Sequence, residues 1–370
     1  TTVLIQSMTP LVLPLLVQRF VGEAKKGTGF GTIRLWALMA ALLVQALTGM
    51  LSDRCTLRWG RRRPFILIGM LANLASLAAI AWTATTNTNH SLEGMSGYWA
   101  TFIFYLLFQV TVNTILGPLH GLIPDLVPET KRGVFSAVKS LFEVSIPIIL
   151  VSFVIAPRIA MGDVGGGLLI GAVALVLTTI PTLLVREAPL STAPPINWQP
   201  FLRLLLMTAA FTAIILVIGA GVGIVGRTLG DMVSITGTLL GMGFAGLVAM
   251  LIAVAVGVWV SVHISLGQSS EHEDITRQRN FIWWVINRLA FFVGINNISG
   301  FAVYYIQGRL GIPNEQAAEP AGRLMLAVGI FILLSALVSG WLTDRMGRKR
   351  MVAVSGIIAV AGTTIVLATR

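Results

Sequence analysis

LSDRCTLRWGRRRPF, residues 51–65, places five arginines (Arg54, Arg58, Arg61, Arg62 and Arg63) within ten positions of a chain that is 55% hydrophobic and only 11% charged. A tighter version, GWLTDRMGRKR at residues 340–350, returns far along the chain and again follows a long apolar run. The two share a skeleton: Gly49, Asp53, Gly60 and Arg61 in the first, Gly340, Asp344, Gly347 and Arg348 in the second. A repeat of this kind divides the chain into two related halves.

The solvent of those halves is lipid. Mean hydropathy is +0.85, whereas soluble domains carry roughly 45–50% apolar and about 25% charged residues. Apolar segments fall at about residues 3–21, 33–51, 64–84, 99–123, 133–156 and 166–185, then 204–226 and 233–263, then 281–306, 321–343 and 351–369. Each approaches the roughly 20 residues that a helix needs to cross a hydrocarbon core of about 30 Å. With the first basic cluster placed inside, alternation puts fifteen Lys and Arg in or beside inner loops. Eight lie outside: Arg19, Lys25, Lys26, Arg34, Arg158, Arg227, Arg309 and Arg323. That inequality is the one the positive-inside bias requires.

The repeat then orders the spans. Residues 1–185 make a six-helix half, 186–280 a linker with an inserted helix pair, and 281–370 the first three helices of the second half. The chain opens TTVLIQ and closes IVLATR within apolar runs, so it reads as a fragment with a truncated start and without its last helices. The opening segment has no basic leader and no small-residue cleavage site, so no cleavable signal is expected. The expected location is a multi-pass position in a bacterial-type inner membrane.

Several chemistries are excluded or left without support. The formal charge of +11 sits in loops, not beside aromatic platforms as nucleic-acid binding needs. Cys55 is the one cysteine, so no intrachain disulfide or cysteine metal site is expected. Glu271, Glu273 and Asp274 form a solvated acidic loop, and His90, His263 and His272 lie in or near loops. With no Walker motif, ATP is not the expected energy source, and neither metal nor cofactor is expected.

The pattern Gly-x-Leu-x-Asp-Arg followed by Gly-Arg, present twice between neighbouring spans, resembles the signature loop of the major facilitator superfamily. The first copy, with VQALTGMLSDRCTLRWGRRRPFI, resembles the sucrose-transporter branch, the glycoside-cation symporters. GPLHGLIPDL at 117–126 resembles the fourth-helix motif of those carriers, whose Asp is associated with proton coupling. Asp125 matches it, and His120 stands where an Arg is usual. The resemblance implies an all-α polytopic fold of two pseudo-symmetric halves, without enzymatic chemistry, in which Gly49, Asp53, Arg54, Gly60, Arg61 and Arg62, and Gly340, Asp344, Arg345, Gly347 and Arg348, form conformational latches. Independently, Arg forks hold carboxylates bidentately, and helix ends favour opposite charges.

Ionisable side chains within spans are costly and are functional candidates by default. Lys139 and Glu143, four apart on one helix face, are candidates for proton or cation coupling, or else a pair that only fixes packing. Asp125 is a third coupling candidate or an interfacial cap. Gln109, Asn113 and His120 follow at spacings of four and seven and are candidates for binding a polar solute. Arg288, with Asn296 and Asn297, offers a cation that reaches a cavity or snorkels, and amides that bind hydroxyls or neighbouring helices. The expected partners are membrane lipid, a small-molecule substrate and a proton or other cation, with the oligomeric state open. The leading expectation is a secondary transporter of a small polar solute, a sugar or glycoside moved with protons. The alternatives are an exporter of lipophilic compounds and a non-transporting assembly protein of the same fold.

Overall fold

The computed structural model describes residues 1–85, 94–187, 190, 192–193, 195, 197–232, 235–266, 301–312 and 314–368, and every regular element among them is helical. Eight helices among these residues are long and apolar enough to cross a bilayer. In chain order, α1 is Thr2–Val21, α2 Lys26–Ser52, α3 Arg63–Thr85 and α4 Gly94–Leu126. Helix α5 runs from Arg132–Leu150 through a widened turn, Val151–Ile155, to Ala156–Ala160. Then come α6 Val164–Leu184, α7 Gln199–Met232 and α8 Ile235–Leu266, and finally α9 Ala302–Leu310, α10 Ala318–Met346 and α11 Arg348–Ala368. Most of the expected span at 281–306 lies outside the described residues.

Helix α1 is the centre of the first half. Its most apolar window is 78% buried, against 17% for α2, so α1 is wrapped by protein while much of the surface of α2 is left uncovered. Met8, Leu11, Val12 and Val17 of α1 are fully buried, with Phe30 and Ile33 of α2 and Tyr105, Phe108 and Val112 of α4. Apolar burial gives little advantage over lipid inside a membrane, so close approach through small residues holds such helices together. A Cβ on Gly117 of α4 would lie 2.6 Å from the Gln45 carbonyl and the Thr48 hydroxyl of α2, and one on Gly69 of α3 would lie 2.7 Å from Ile115. Asn73 Nδ2 donates to Thr111 Oγ1 at 2.9 Å and adds a polar tie between α3 and α4.

Local chemistry sets the breaks. Gly22 takes a φ of +73° where α1 stops, a conformation that glycine adopts without steric cost. Asp163 caps α6 by accepting from Gly166 N at 2.8 Å. Widened π turns appear at Met8–Val12, which contains Pro10, and at Val151–Ile155, just past Pro147. A proline has no N–H to give to the preceding turn, and the helix relieves the gap by widening.

The second half meets the first at the end away from the basic loops. Ser152 Oγ of α5 donates to Gly322 O of α10 at 2.8 Å, and a Cβ on Gly322 would lie 2.5 Å from Ala156. Tyr304 Oη of α9 donates to Pro14 O of α1 at 2.8 Å. Helices α7 and α8 pack on each other, with Gly257 against Phe211, and α7 also rests on α2.

Replacing Gly117 by Val should therefore separate α2 from α4 and lower stability by about 1–3 kcal/mol, the usual cost of overpacking. Gly223, on α7, has open space around its Cα. Thermal unfolding in detergent should show a lower midpoint for Gly117→Val and little change for Gly223→Ala.

Candidate functional site

The last turn of α2 begins the inner loop. Gly49 O accepts from Ser52 Oγ at 2.8 Å and Asp53 N at 3.0 Å, and Met50 O accepts from Arg54 Nη1 at 2.9 Å. A cation is favoured there, where helix carbonyls lack partners. At Gly60 the backbone reaches φ +116°, a left-handed value that a side chain would strain. A Cβ at that position would also fall 2.7 Å from Glu187 Oε2. This turn aims Arg61 and Arg62 back at α4.

Arg62 is the hub. Its side chain is only 8% exposed, with Nη2 2.8 Å from Asp53 Oδ1 and Nε 2.5 Å from Asp125 Oδ2. Arg61 takes the other Asp125 oxygen, so two guanidinium groups share one carboxylate. Glu187 Oε2, from the segment after α6, accepts from Arg62 N at 2.9 Å and puts a negative charge at the start of α3. Arg54 Nε and Nη2 donate to Pro195 O at 3.4 and 3.3 Å. The cluster thus ties α2, α3, α4 and the segment leaving α6 into one unit.

The second repeat shows the same backbone device. Gly347 has φ +81° between α10 and α11, the position that Gly60 holds between α2 and α3. Gly340 lies within α10, and Arg345 is exposed near its end. The side chains of Asp344 and Arg348 lie outside the described set.

The solute and coupling candidates fall into separate groups. Lys139 Nζ and Glu143 Oε1 of α5 are 3.0 Å apart, with side chains 30% and 33% exposed. They line a cavity of about 580 Å³ whose wall is mostly leucine, isoleucine, proline and valine, with Thr178, Thr179 and Thr182 of α6 as polar members. His120 is exposed on α4, with Nδ1 3.0 Å from Gln45 Nε2 of α2. Gln109 and Asn113 are buried earlier on α4. Asn113 Nδ2 donates to Gln109 O at 2.8 Å, Gln109 Nε2 donates to Tyr105 Oη at 3.0 Å, and Tyr105 Oη shares a 2.8 Å hydrogen bond with Thr9 in the π turn of α1. Arg288, Asn296 and Asn297 lie outside the described residues.

Asp125 joins neither group; it stands in the loop cluster with both oxygens engaged by arginine. Sequence reading missed Glu187, Gln45, Thr9 and Tyr105. Glu187 had one legible signal, as a carboxylate directly after a span on the strongly basic side. Gln45 had another, as a lone amide within an apolar run.

A family model described as MFS/sugar transport protein matches residues 28–161. A sucrose transport protein of rice (Oryza sativa subsp. japonica) is 32% identical over 111 residues, 26% of this chain and 21% of that protein. A sucrose transport protein of Arabidopsis thaliana is 31% identical over 110 residues, 27% of this chain and 18% of that protein. An uncharacterized symporter of Synechocystis is 24% identical over 308 residues, 76% of this chain and 54% of that protein. Each match therefore spans less than two thirds of the relative's own length. Taken with the polytopic helical architecture, they make this chain similar to proteins of the major facilitator type.

Burial ranks the two carboxylates on Arg62. Asp53 is 51% exposed and Asp125 22%, and exposed ion pairs contribute about 0–1 kcal/mol while breaking a buried one costs about 3–5. Asp53→Asn should therefore lower stability by less than about 1 kcal/mol and Asp125→Asn by about 1–3. Thermal unfolding of the two purified variants in detergent checks the order.

Proposed function

We propose that this chain, a multi-pass membrane protein of the major-facilitator type, works as a secondary transporter that moves a sugar or glycoside together with protons by alternating access. The observation that carries the reading is the arrangement of the two ends. The inner loop is gathered around Arg62, while the halves touch at the opposite end through Ser152–Gly322 and Tyr304–Pro14. Two halves in contact at one end and a switchable ion-pair cluster at the other are the parts that rocking about a central site requires. The names of the plant relatives support sugar as cargo, and that of the cyanobacterial relative supports symport.

Within this reading, Arg61, Arg62, Asp53 and Asp125 form the latch, with Gly49, Gly60 and Arg54 shaping it. The matching second latch is Gly340, Asp344, Arg345, Gly347 and Arg348. Glu143 carries the proton. A carboxylate within a span is hard to keep ionised without a cation, and Lys139 at 3.0 Å supplies one. Gln109, Asn113 and His120 serve the solute, with Arg288, Asn296 and Asn297 completing the site from the second half. Residues 186–280 act as linker and inserted pair between a half at 1–185 and a second half beginning at 281, and the protein resides in a bacterial-type inner membrane. The mostly apolar cavity wall around Lys139 and Glu143 favours a second reading, export of a lipophilic compound.

The test is proton movement in sealed vesicles carrying the full-length protein. Adding sugar should make the lumen acidic as sugar enters; sugar-independent behaviour together with efflux of a lipophilic dye would favour the second reading. Glu143→Gln should abolish accumulation against a gradient while sparing at least part of the exchange down a gradient. Asp125→Asn should slow both processes together, because it loosens the latch and leaves the proton site intact. Accumulation that survives Glu143→Gln and is lost only in Asp125→Asn would transfer the coupling role to Asp125.

A further inference from the structure

The five arginines of the inner loop are not used alike. Arg54, Arg61 and Arg62 are held by carbonyls or carboxylates, and Arg63 is buried. Arg58 is exposed, and its side chain has no ion pair or hydrogen bond among the described residues. Gly60 N donates to Leu57 O at 3.1 Å, which closes a turn with Arg58 and Trp59 at its tip. Leu57 is 56% exposed and Trp59 45%. The tip therefore presents an unpaired cation between two apolar side chains.

A second segment repeats that chemistry beside it. Arg186 is exposed and likewise unpaired among the described residues. It is next to Glu187, which accepts from Arg62 N. Trp198 is 47% exposed, with Phe201 edge-on at 6.2 Å. It comes three residues after Pro195, whose carbonyl accepts from Arg54. Those two contacts hold the segments side by side. Arg58, Trp59, Arg186 and Trp198 all lie within five positions of the end of a long apolar helix, since α3 begins at Arg63, α6 ends at Leu184 and α7 begins at Gln199. That places them at the membrane's inner edge, not out in the aqueous phase.

We propose that this face, made of Leu57, Arg58, Trp59, Arg186 and Trp198, is a docking surface for anionic phospholipid of the inner leaflet. Tryptophan settles at the headgroup level, where an apolar ring with one N–H donor is half in lipid and half in water. A guanidinium fork matches two phosphate oxygens, and basic segments beside a membrane are drawn to a negatively charged leaflet. The nearby carboxylates do not compete for the two arginines. Asp125 is engaged by Arg61 and Arg62, Asp53 by Arg62, and Glu187 by the Arg62 backbone. Lipid contact also acts beyond the tip. Gly60 closes the turn and begins the bend that aims Arg61 and Arg62, so a tip seated on lipid steadies the ion-pair cluster. The inference needs only the membrane setting and is independent of the solute.

The experiment uses full-length protein carrying Cys55→Ser and Thr56→Cys, spin-labelled at the introduced cysteine, in nanodiscs of phosphatidylcholine with and without one third phosphatidylglycerol. Thr56 is exposed and lies beside the proposed face without belonging to it. Collision of the label with dissolved oxygen, compared with a water-soluble nickel complex, reads its depth. Phosphatidylglycerol should lower nickel access at least twofold, and high salt should reverse the change because the attraction is screened. Arg58→Gln combined with Arg186→Gln should abolish the lipid response while leaving the thermal midpoint in detergent unchanged. Trp59→Ser should leave the label open to nickel in both lipids. The proposal is overturned if nickel access is the same with and without phosphatidylglycerol, the outcome for a face that receives a soluble protein instead. It is overturned equally if the lipid response survives the paired arginine variant or Trp59→Ser.

Discussion

Arg62 is nearly buried at the membrane's inner edge, and its fork holds carboxylates from two different helix ends. Such a charge is tolerated only with partners in place, and removing one strands the rest. The positions of the α2 end, the α3 start and the α4 end are therefore set together. Gly60 supplies the turn, Asp125 the inner wall, Asp53 the outer rim and Glu187 the cap on the α3 backbone. Glu187 belongs to the segment leaving the last helix of the first half, so the cluster also governs how the chain departs toward the second half.

The opposite end is built from weaker and more numerous contacts: ring edges, a cation over a ring, two hydroxyls to carbonyls, and glycines that let α10 approach α5. Aromatic pairs contribute about 0.5–1.5 kcal/mol each, and a cation over a ring about 0.5–1 at exposed sites. An interface made of several such terms separates and re-forms without stranding a buried charge. The contrast between a stringent ion-pair cluster within one half and a divisible aromatic contact between halves suits the alternating access proposed above.

Much of this was legible in the sequence because membrane physics writes long signals. Span length, the basic loops and the repeated Gly and Asp gave the helical architecture, and the paired glycines Gly60 and Gly347 both take positive φ. Long-range partners were not legible: nothing in local spacing joins Glu187 to Arg62, which lies 125 residues away. Asp125 follows His120 by five residues, which turns it about 140° around the helix at 3.6 residues per turn. It leaves the face of Gln109 and Asn113 for that reason and meets the arginines. Arg34 counted as an outer charge because α2 was read as starting near residue 33. The helix begins at Lys26, its first turns disguised by Gly27, Gly29 and Gly31, and Arg34 is carried inward.

The central claim is that the ends of the two halves opposite the basic loops part and close during the work of the protein. Gly27 and Gly308 flank the Lys26–Gln307 contact, one on each half, and neither has an atom within reach of an added Cβ. Spin labels on cysteines at these two positions, in full-length protein carrying Cys55→Ser, report that separation by pulsed electron resonance. The account predicts two distance populations, a short one matching this structure and a longer one, whose ratio shifts with sugar and with pH. A single distance that stays constant in every sugar and pH condition would contradict it.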